Sequence, residues 1–196
     1  MRPDGTHIKN LTSDVWGTFR AAFTPDGKRI VLETQQAGFI SVVWIMNKDG
    51  SSQRRLTPAP IKAGGPAVSS KNQVVFLNNL NSPTSLTNTL FTMNLDGSHR
   101  RQVTRPQGVS HDVGPNYSPD GTKIVFASDR MSSNHSLDIF VMNPDGSSLT
   151  RVASGLTVGG CPDGNCVSPA WGAIPQVQKS AFPSTPPPGI KVIERE

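Results

Sequence analysis

Four copies of one short motif decide the fold of this chain: Met1-Arg2-Pro3-Asp4-Gly5, Met46-Asn47-Lys48-Asp49-Gly50, Met93-Asn94-Leu95-Asp96-Gly97 and Met142-Asn143-Pro144-Asp145-Gly146. The copies begin 45, 47 and 49 residues apart, and short β-branched and aromatic runs fill the intervals. A repeat of this length with strand-like filling is typical of a β-propeller, in which each repeat forms one blade of four antiparallel strands. The motif therefore predicts an all-β propeller.

The strands of the clearest repeat follow from its apolar pattern. Tyr117 ends a first strand, and Asp120-Gly121 makes the turn that follows it. The runs 123–128 and 138–143 are rich in β-branched and aromatic residues and predict two buried strands. Residues 149–152 predict the fourth strand, because they follow the next Asp-Gly turn.

The same order of runs divides the chain into three complete blades with partial strands at both ends. The middle blade is less regular, because residues 69–72 read Ser-Ser-Lys-Asn where the other two have Pro-Asp-Gly. The predicted bounds are 1–12 for the outer strand of a preceding blade, 15–57, 62–104 and 110–153 for the complete blades, 166–173 for the first strand of a terminal blade, and 176–196 for a proline-rich tail.

Three blades and two stray strands predict an open fan, because closed propellers need about four blades or more. Three ways to complete the ring stay open. The N-terminal and C-terminal strands could join in one blade, or several copies of the chain could combine. Alternatively, the chain is the C-terminal part of a longer propeller, with the missing blades upstream.

The repeat Ser/Thr-Pro-Asp-Gly-x-x-Ile-Val, followed by Ile-Phe-Val-Met-Asn-x-Asp-Gly-Ser and Arg-x-Leu/Val-Thr, resembles that of TolB-type β-propellers, a WD-like family common in bacterial envelope proteins. The resemblance covers residues 1 to about 175. It implies a periplasmic or extracellular protein. It also implies that Asp129, Arg130 and Asp138 occupy recurrent polar positions that hold hairpins. Function does not follow from it, since propellers host binding modules and enzymes alike.

The net charge of +5 is modest, but several arginines fall on or beside predicted outermost strands. They protect exposed strand edges from pairing, or they attract an anionic partner such as an acidic polysaccharide or lipid headgroups. Nucleic acid is not expected as a partner, because few aromatic side chains accompany the charge. These arginines are Arg54, Arg55, Arg100, Arg101 and Arg151.

The cysteines bear on the cellular compartment. Cys161 and Cys166 enclose Pro-Asp-Gly-Asn and are predicted to form a disulfide across a hairpin, which would indicate an oxidising environment. Free thiols or half of a metal site are the alternatives. Zinc would need two further ligands, and the four histidines show no metal-type spacing, so no metal or cofactor is expected. No apolar run is long enough to span a membrane, and the N-terminus lacks the apolar stretch of a signal peptide.

The loops between blades are the expected binding surface. Ser110, His111 and Asp112 contain the members of a hydrolase triad, but neighbours on an extended segment point to opposite faces and cannot converge. Inter-blade loops line one face of a propeller near its axis, where ligands bind. The candidates for contact with a ligand or partner are Asp14, Trp16, His111, Asp112, Asn116 and Asn165.

With no convergent catalytic set, the sequence favours a non-catalytic protein-interaction or scaffold module, a subunit of a larger bacterial extracytoplasmic assembly. Its expected partners are other proteins or further copies of the chain, which complete the propeller. The alternative is an enzyme, or an accessory propeller of an enzyme, that acts on polysaccharide or peptide substrates. Some propellers are sugar lyases that hold a metal with several histidines, and this chain has four scattered ones.

Overall fold

A computed structural model describes residues 4–12, 17–36, 40–58, 62–79, 87–105, 110–132, 136–156 and 169–171. These residues contain strands and turns but no helix. The strands are β1 (Gly17–Phe23), β2 (Arg29–Gln36), β3 (Ile40–Asn47), β4 (Arg54–Arg55), β5 (Lys62–Val68), β6 (Gln73–Asn79), β7 (Thr89–Asn94), β8 (Arg101–Gln102), β9 (Asp112–Tyr117), β10 (Ile124–Ser128), β11 (Leu137–Met142) and β12 (Thr150–Leu156).

The strands form three antiparallel sheets, in each of which four consecutive strands pair in chain order. We call them the first blade (β1 to β4), the second blade (β5 to β8) and the third blade (β9 to β12). Strand β5 contacts β1, and β9 contacts β5, whereas the only strand that each of the short outer strands β4 and β8 contacts lies in its own blade. The first strands therefore converge toward a common axis, as in a propeller, and the predicted fold class is confirmed.

The repeated Asp-Gly motif forms the same turn in all four copies. The glycines have φ between 82° and 92°, and each aspartate accepts a hydrogen bond from the backbone N–H two residues later. Three of these turns join the third and fourth strands of a blade. The fourth lies at Asp4-Gly5, in a segment that contains no assigned strand. Residues 4–12 nevertheless pack as an outer strand does, because Leu11 contacts the core residues Ile30, Leu32 and Met46 of the first blade.

The core lies between the blades rather than within one sheet. Phe76 and Phe91 of the second blade pack toward the first blade, with ring centroids 5.8 Å apart. Phe126 and Phe140 of the third blade pack in the same way toward the second, with centroids 5.7 Å apart. Each blade therefore needs a neighbour to bury its apolar face.

Two arginines on the outer strands join consecutive blades through hydrogen bonds. Arg54 donates hydrogen bonds to the carbonyls of Leu95 and Asp96, both at 3.2 Å, in the turn of the second blade. Arg101 reaches the Pro144 carbonyl of the third blade at 3.4 Å. Both side chains therefore bind the next blade. This differs from the expected roles, which were protection of strand edges and attraction of an anionic partner.

The outer strand of the third blade differs from the other two. Thr57 and Thr104 accept hydrogen bonds from the Val43 and Leu90 amides at 3.1 and 2.8 Å, where β4 and β8 have ended. The corresponding residue in the third blade is Ala153, which has no hydroxyl group, and β12 continues to Leu156. The side chain of Val152 is 56% exposed, whereas its equivalents Leu56 and Val103 are at most 8% exposed.

Within the part of the chain that the structure describes, no helix could span a membrane. The two cysteines and the proline-rich tail lie outside the described residues. Of the predicted strand 166–173, only residues 169–171 are described, and they form no strand.

Candidate functional site

Three chain segments meet where the second and third blades join. Strand β9 begins at Asp112, directly after the crossover from the second blade. Antiparallel pairing places Ser128, the last residue of β10, opposite Asp112. A parallel bridge between Asn88 and His111 adds the segment that leads into β7. We call this end of the two blades the loop face.

His111 is held at the loop face by Asp129. One carboxylate oxygen of Asp129 accepts the His111 backbone N–H at 2.7 Å, and the other lies 2.9 Å from the ring Nδ1. Because an ionised carboxylate only accepts hydrogen bonds, Nδ1 is the donor in this contact, which leaves Nε2 for other partners. Asp129 is buried, whereas the His111 side chain is 33% exposed. The ring is therefore fixed at one edge and accessible at the other.

Asp112, the residue after His111, forms an ion pair with Arg130. An oxygen of the fully buried Asp112 lies 2.5 Å from Nη2 of Arg130. The other oxygen accepts the Thr104 hydroxyl at 2.5 Å, so the network joins the second blade to the third. Such buried pairs persist when additional hydrogen bonds satisfy both groups.

The remaining surface of the Arg130 guanidinium is also occupied. Its Nε donates to the Ser128 hydroxyl at 3.1 Å. Its carbon lies 5.1 Å and 5.2 Å from the ring centroids of Phe126 and Phe140, which is cation–π distance. Arg130 therefore supports the loop face, rather than offering its charge to a ligand.

Ser110, His111 and Asp112 do not form a catalytic triad. The His111 ring binds Asp129, and the Asp112 carboxylate binds Arg130 and Thr104. The Ser110 hydroxyl is buried, with no hydrogen-bond partner in the described residues. Among those residues, no group of three His, Cys, Asp or Glu side chains is placed to hold a metal ion. What the arrangement offers chemically is one oriented imidazole ring.

The other sequence candidates lie elsewhere. Asn116 pairs with Val125 further along β9, toward the turn at the opposite end of the blade. The strand rises about 3.3 Å per residue, so four residues separate Asn116 from Asp112 by roughly 13 Å. Asp14, Trp16 and Asn165 lie outside the described residues, as do Cys161 and Cys166.

Sequence reasoning did not assign Asp129, Arg130 and Thr104 to this site. The first two were interpreted only as residues that hold hairpins. A usable signal was present, because Ser128-Asp129-Arg130 follows a buried strand whose antiparallel partner begins with an aspartate. Thr104 gave no comparable signal, since its contact crosses from one blade to the next.

Comparison with known proteins supports the fold. No protein-family model matches the chain. TolB from Acinetobacter baumannii is similar, with a TM-score of 0.61 and 21% identity over 76% of this chain and 35% of that one. The putative TolB from Agrobacterium tumefaciens has a TM-score of 0.60 and 21% identity over 74% of this chain and 49% of that one.

An oligogalacturonate lyase in complex with manganese is also similar, with a TM-score of 0.53 and 16% identity over 76% of this chain and 39% of that one. The chain thus spans about half the length, or less, of each of these proteins. Identities this low define the fold alone. The chain is a TolB-type β-propeller in fold.

Proposed function

We propose that this chain is a non-catalytic protein-interaction or scaffold module, and that it works as a subunit of a larger periplasmic or extracellular assembly. The observation that carries the proposal is the loop face, where Asp129 orients His111 and the adjacent Asp112 pairs with Arg130. Interaction surfaces are commonly built from loops on a rigid scaffold. Here the scaffold is rigid because two blades share one hydrogen-bond network.

The loop face also presents an apolar side chain. Met131 follows the two residues that hold His111 and the ion pair, and its side chain is exposed. Methionine and aromatic or arginine side chains are enriched in protein interfaces, where the flexible thioether adapts to its partner. His111 and Met131 are therefore the side chains that we expect a partner to contact.

Exposed apolar residues on the first blade support association with another polypeptide or copy. Tyr117 ends the first strand of the third blade and is 7% exposed, because it packs in the core shared with the second blade. Phe23 ends the first strand of the first blade and is 62% exposed. A further blade would cover Phe23 as the second blade covers Tyr117.

The test is direct binding. Cross-linking and mass spectrometry on an envelope fraction would identify a partner, which is then purified and titrated against the full chain by calorimetry. We expect His111→Ala and Met131→Asp to weaken binding about tenfold or more. Lys71→Ala, in the exposed turn after β5 at the opposite end of the second blade, should leave it unchanged. Equal effects of all three variants would refute the proposal.

Light scattering shows how the propeller is completed. The chain has a mass of 21.0 kDa. A multiple of this value would mean that copies of the chain cover Phe23, whereas a monomer that gains mass only with the purified partner would assign that role to the partner. A monomer that binds nothing counts against a scaffold.

A second candidate function is an enzyme, or an accessory propeller of an enzyme, that acts on polysaccharide or peptide substrates. The carboxylate-held imidazole of His111 favours it, because this arrangement orients histidines that act as bases or metal ligands. The likeness to an oligogalacturonate lyase adds a class of substrate to try. Cleavage of acidic oligosaccharides with added divalent metal, lost in His111→Ala, would establish it.

A further inference from the structure

A cleft at the outer rim, between the first and second blades, is lined by two cations and, among the described residues, by no carboxylate. Its volume is about 510 Å³, which is within the range of ligand sites. It lies between the outer strand of the first blade and the Asp-Gly turn of the second. The lining residues are Arg55, Leu56, Thr57, Pro58, Gly97 and Arg100.

Arg55 is fixed in one wall of this cleft. Its Nε donates to the Thr57 carbonyl and its Nη2 to the Pro58 carbonyl, the latter at 3.0 Å. Burial lowers the pKa of the Arg55 guanidinium, because the charged form loses hydration there. These hydrogen bonds therefore hold the positive charge of Arg55 in one position.

Arg100 forms the other wall, and blade packing does not require its charge. Gln53 holds the equivalent position in the first blade, where its amide donates to the Leu11 and Gly50 carbonyls at 3.2 and 3.0 Å. A neutral side chain at this position can therefore make the hydrogen bonds to neighbouring backbone carbonyls. Within the described residues, Arg100 makes no hydrogen bond or ion pair, and it is exposed.

A different cleft, between the second and third blades, is balanced in charge. Arg101 and His99 line it together with Asp145. Hydrogen bonds from Ser147 lower the pKa of Asp145, and the charge of Arg101 adds to this effect. An acid therefore faces the cation in that cleft, whereas none lines the cleft that contains Arg55 and Arg100.

We propose that the cleft between Arg55 and Arg100 binds carboxylates of an acidic peptide segment. The exposed guanidinium of Arg100 can match a carboxylate in planar, bidentate geometry, and Arg55, whose Nε and Nη2 bind backbone carbonyls, adds a second positive charge. Leu56 and Pro58 add apolar contacts for a peptide. The lining contains no aromatic ring for a sugar to stack on, which disfavours an acidic saccharide. The site lies apart from the loop face and goes beyond the function proposed above.

The experiment uses fluorescein-labelled hexaglutamate and the full chain, with binding followed by anisotropy. We expect saturable binding that weakens as NaCl is raised, because salt screens charge pairs. Arg100→Gln reproduces the side chain of the equivalent Gln53 and should weaken binding about tenfold, the loss expected for one charge-assisted contact. Arg105→Gln, which removes one exposed charge outside this cleft, is the matched control and should change binding less than twofold.

Arg55→Gln supplies a second variant, which removes the other positive charge of the cleft, and it should also weaken binding. Three outcomes would overturn the proposal: equal effects of Arg100→Gln and Arg105→Gln, equal binding of hexaglutamine, or tighter binding of oligogalacturonate than of hexaglutamate. His111→Ala separates this site from the loop face, because it should leave hexaglutamate binding unchanged. Loss of binding in His111→Ala would instead place the peptide on the loop face.

Discussion

The carboxylate of Asp112 and the guanidinium of Arg130 lie 2.5 Å apart, where the second and third blades meet. Asp112 is fully buried, and Thr104 of the neighbouring blade donates to its second oxygen. The ion pair thus takes part in a network that joins two blades, and it lies next in the chain to His111 and Asp129. The stability of the propeller and the shape of its candidate site therefore depend on the same residues.

Removing one member of this pair should destabilise the protein strongly. Asp112→Ala leaves a buried, unpaired guanidinium, so we expect the free energy of unfolding to fall by about 3–5 kcal/mol in urea titrations. Arg151→Ala is the control, because Arg151 pairs with Asp138 at 3.2 Å but is half exposed. Its loss should cost less than the loss of Asp112, because water screens a pair whose cation is half exposed. Equal losses would mean that the Asp112–Arg130 pair has no special structural role.

The Asp-Gly turns permit a paired test of blade contact. A Cβ added at Gly146 would lie 2.3 Å from the Val103 carbonyl oxygen, whereas one at Gly5 would meet nothing within 4 Å. Both glycines have similar positive φ, 86° and 82°. Gly5→Ala should therefore cost about 1 kcal/mol from backbone strain, and Gly146→Ala about 1–3 kcal/mol more from the clash. Thermal and urea unfolding of both variants would measure the difference, and equal losses would contradict the observed packing.

The two threonines that end β4 and β8 provide another matched pair. Each accepts a backbone amide, but Thr104 also donates to Asp112. Thr57→Val should cost about 1 kcal/mol, the usual loss for one hydrogen bond, and Thr104→Val roughly twice that or more, because its partner is charged. If chemical denaturation gives equal values, the contact with Asp112 contributes nothing.

Asn78 places a polar side chain in the interior. Its side chain is fully buried, and neither amide atom has a hydrogen-bond partner in the described residues. Replacement by leucine removes the unsatisfied polar group, so Asn78→Leu should raise the free energy of unfolding by about 1–2 kcal/mol. A decrease beyond that of Asn78→Ala, measured in the same urea titration, would show that the amide is needed.

The turn carboxylates should remain ionised in acid. Hydrogen bonds from the Ser118 and Thr122 side chains and the Thr122 amide lower the pKa of Asp120 to about 2. A group with a depressed folded pKa stabilises the fold above its unfolded value of about 3.9 and loses that effect as pH falls toward the folded value. NMR titration of the carboxyl carbons should show this pKa, and Ser118→Ala should raise it. An unchanged value in Ser118→Ala would identify the Thr122 contacts as the cause.

The blades were largely predictable because local signals define them. The run 123–128 predicted a buried strand, and β10 occupies residues 124–128 of it. The turn at Asp145-Gly146 follows from glycine chemistry, which is local as well. The sequence also contains the difference that accompanies the longer β12, because Ala153 replaces a threonine found in the other two blades. The longer strand itself is visible only in the structure, where β12 pairs with β11.

The candidate site was predictable only in part. His111 and Asp112 were identified because they lie in an inter-blade loop, yet their partners are 18 residues away in the chain, at Asp129 and Arg130. Antiparallel pairing of β9 with β10 brings these residues together. Asn116 was named as a candidate together with them, but it lies four residues further along the same strand and pairs with Val125.

The sequence by itself determined the repeat, the strands and the turns, because strand propensity and glycine turn chemistry act over a few residues. Tertiary structure alone decided how each blade joins the next: Arg54 on the neighbouring turn, Thr104 on Asp112, and the paired cations of Arg55 and Arg100 across one cleft. These contacts join residues about 8 to 45 positions apart. Their geometry depends on blade packing, which no local pattern encodes.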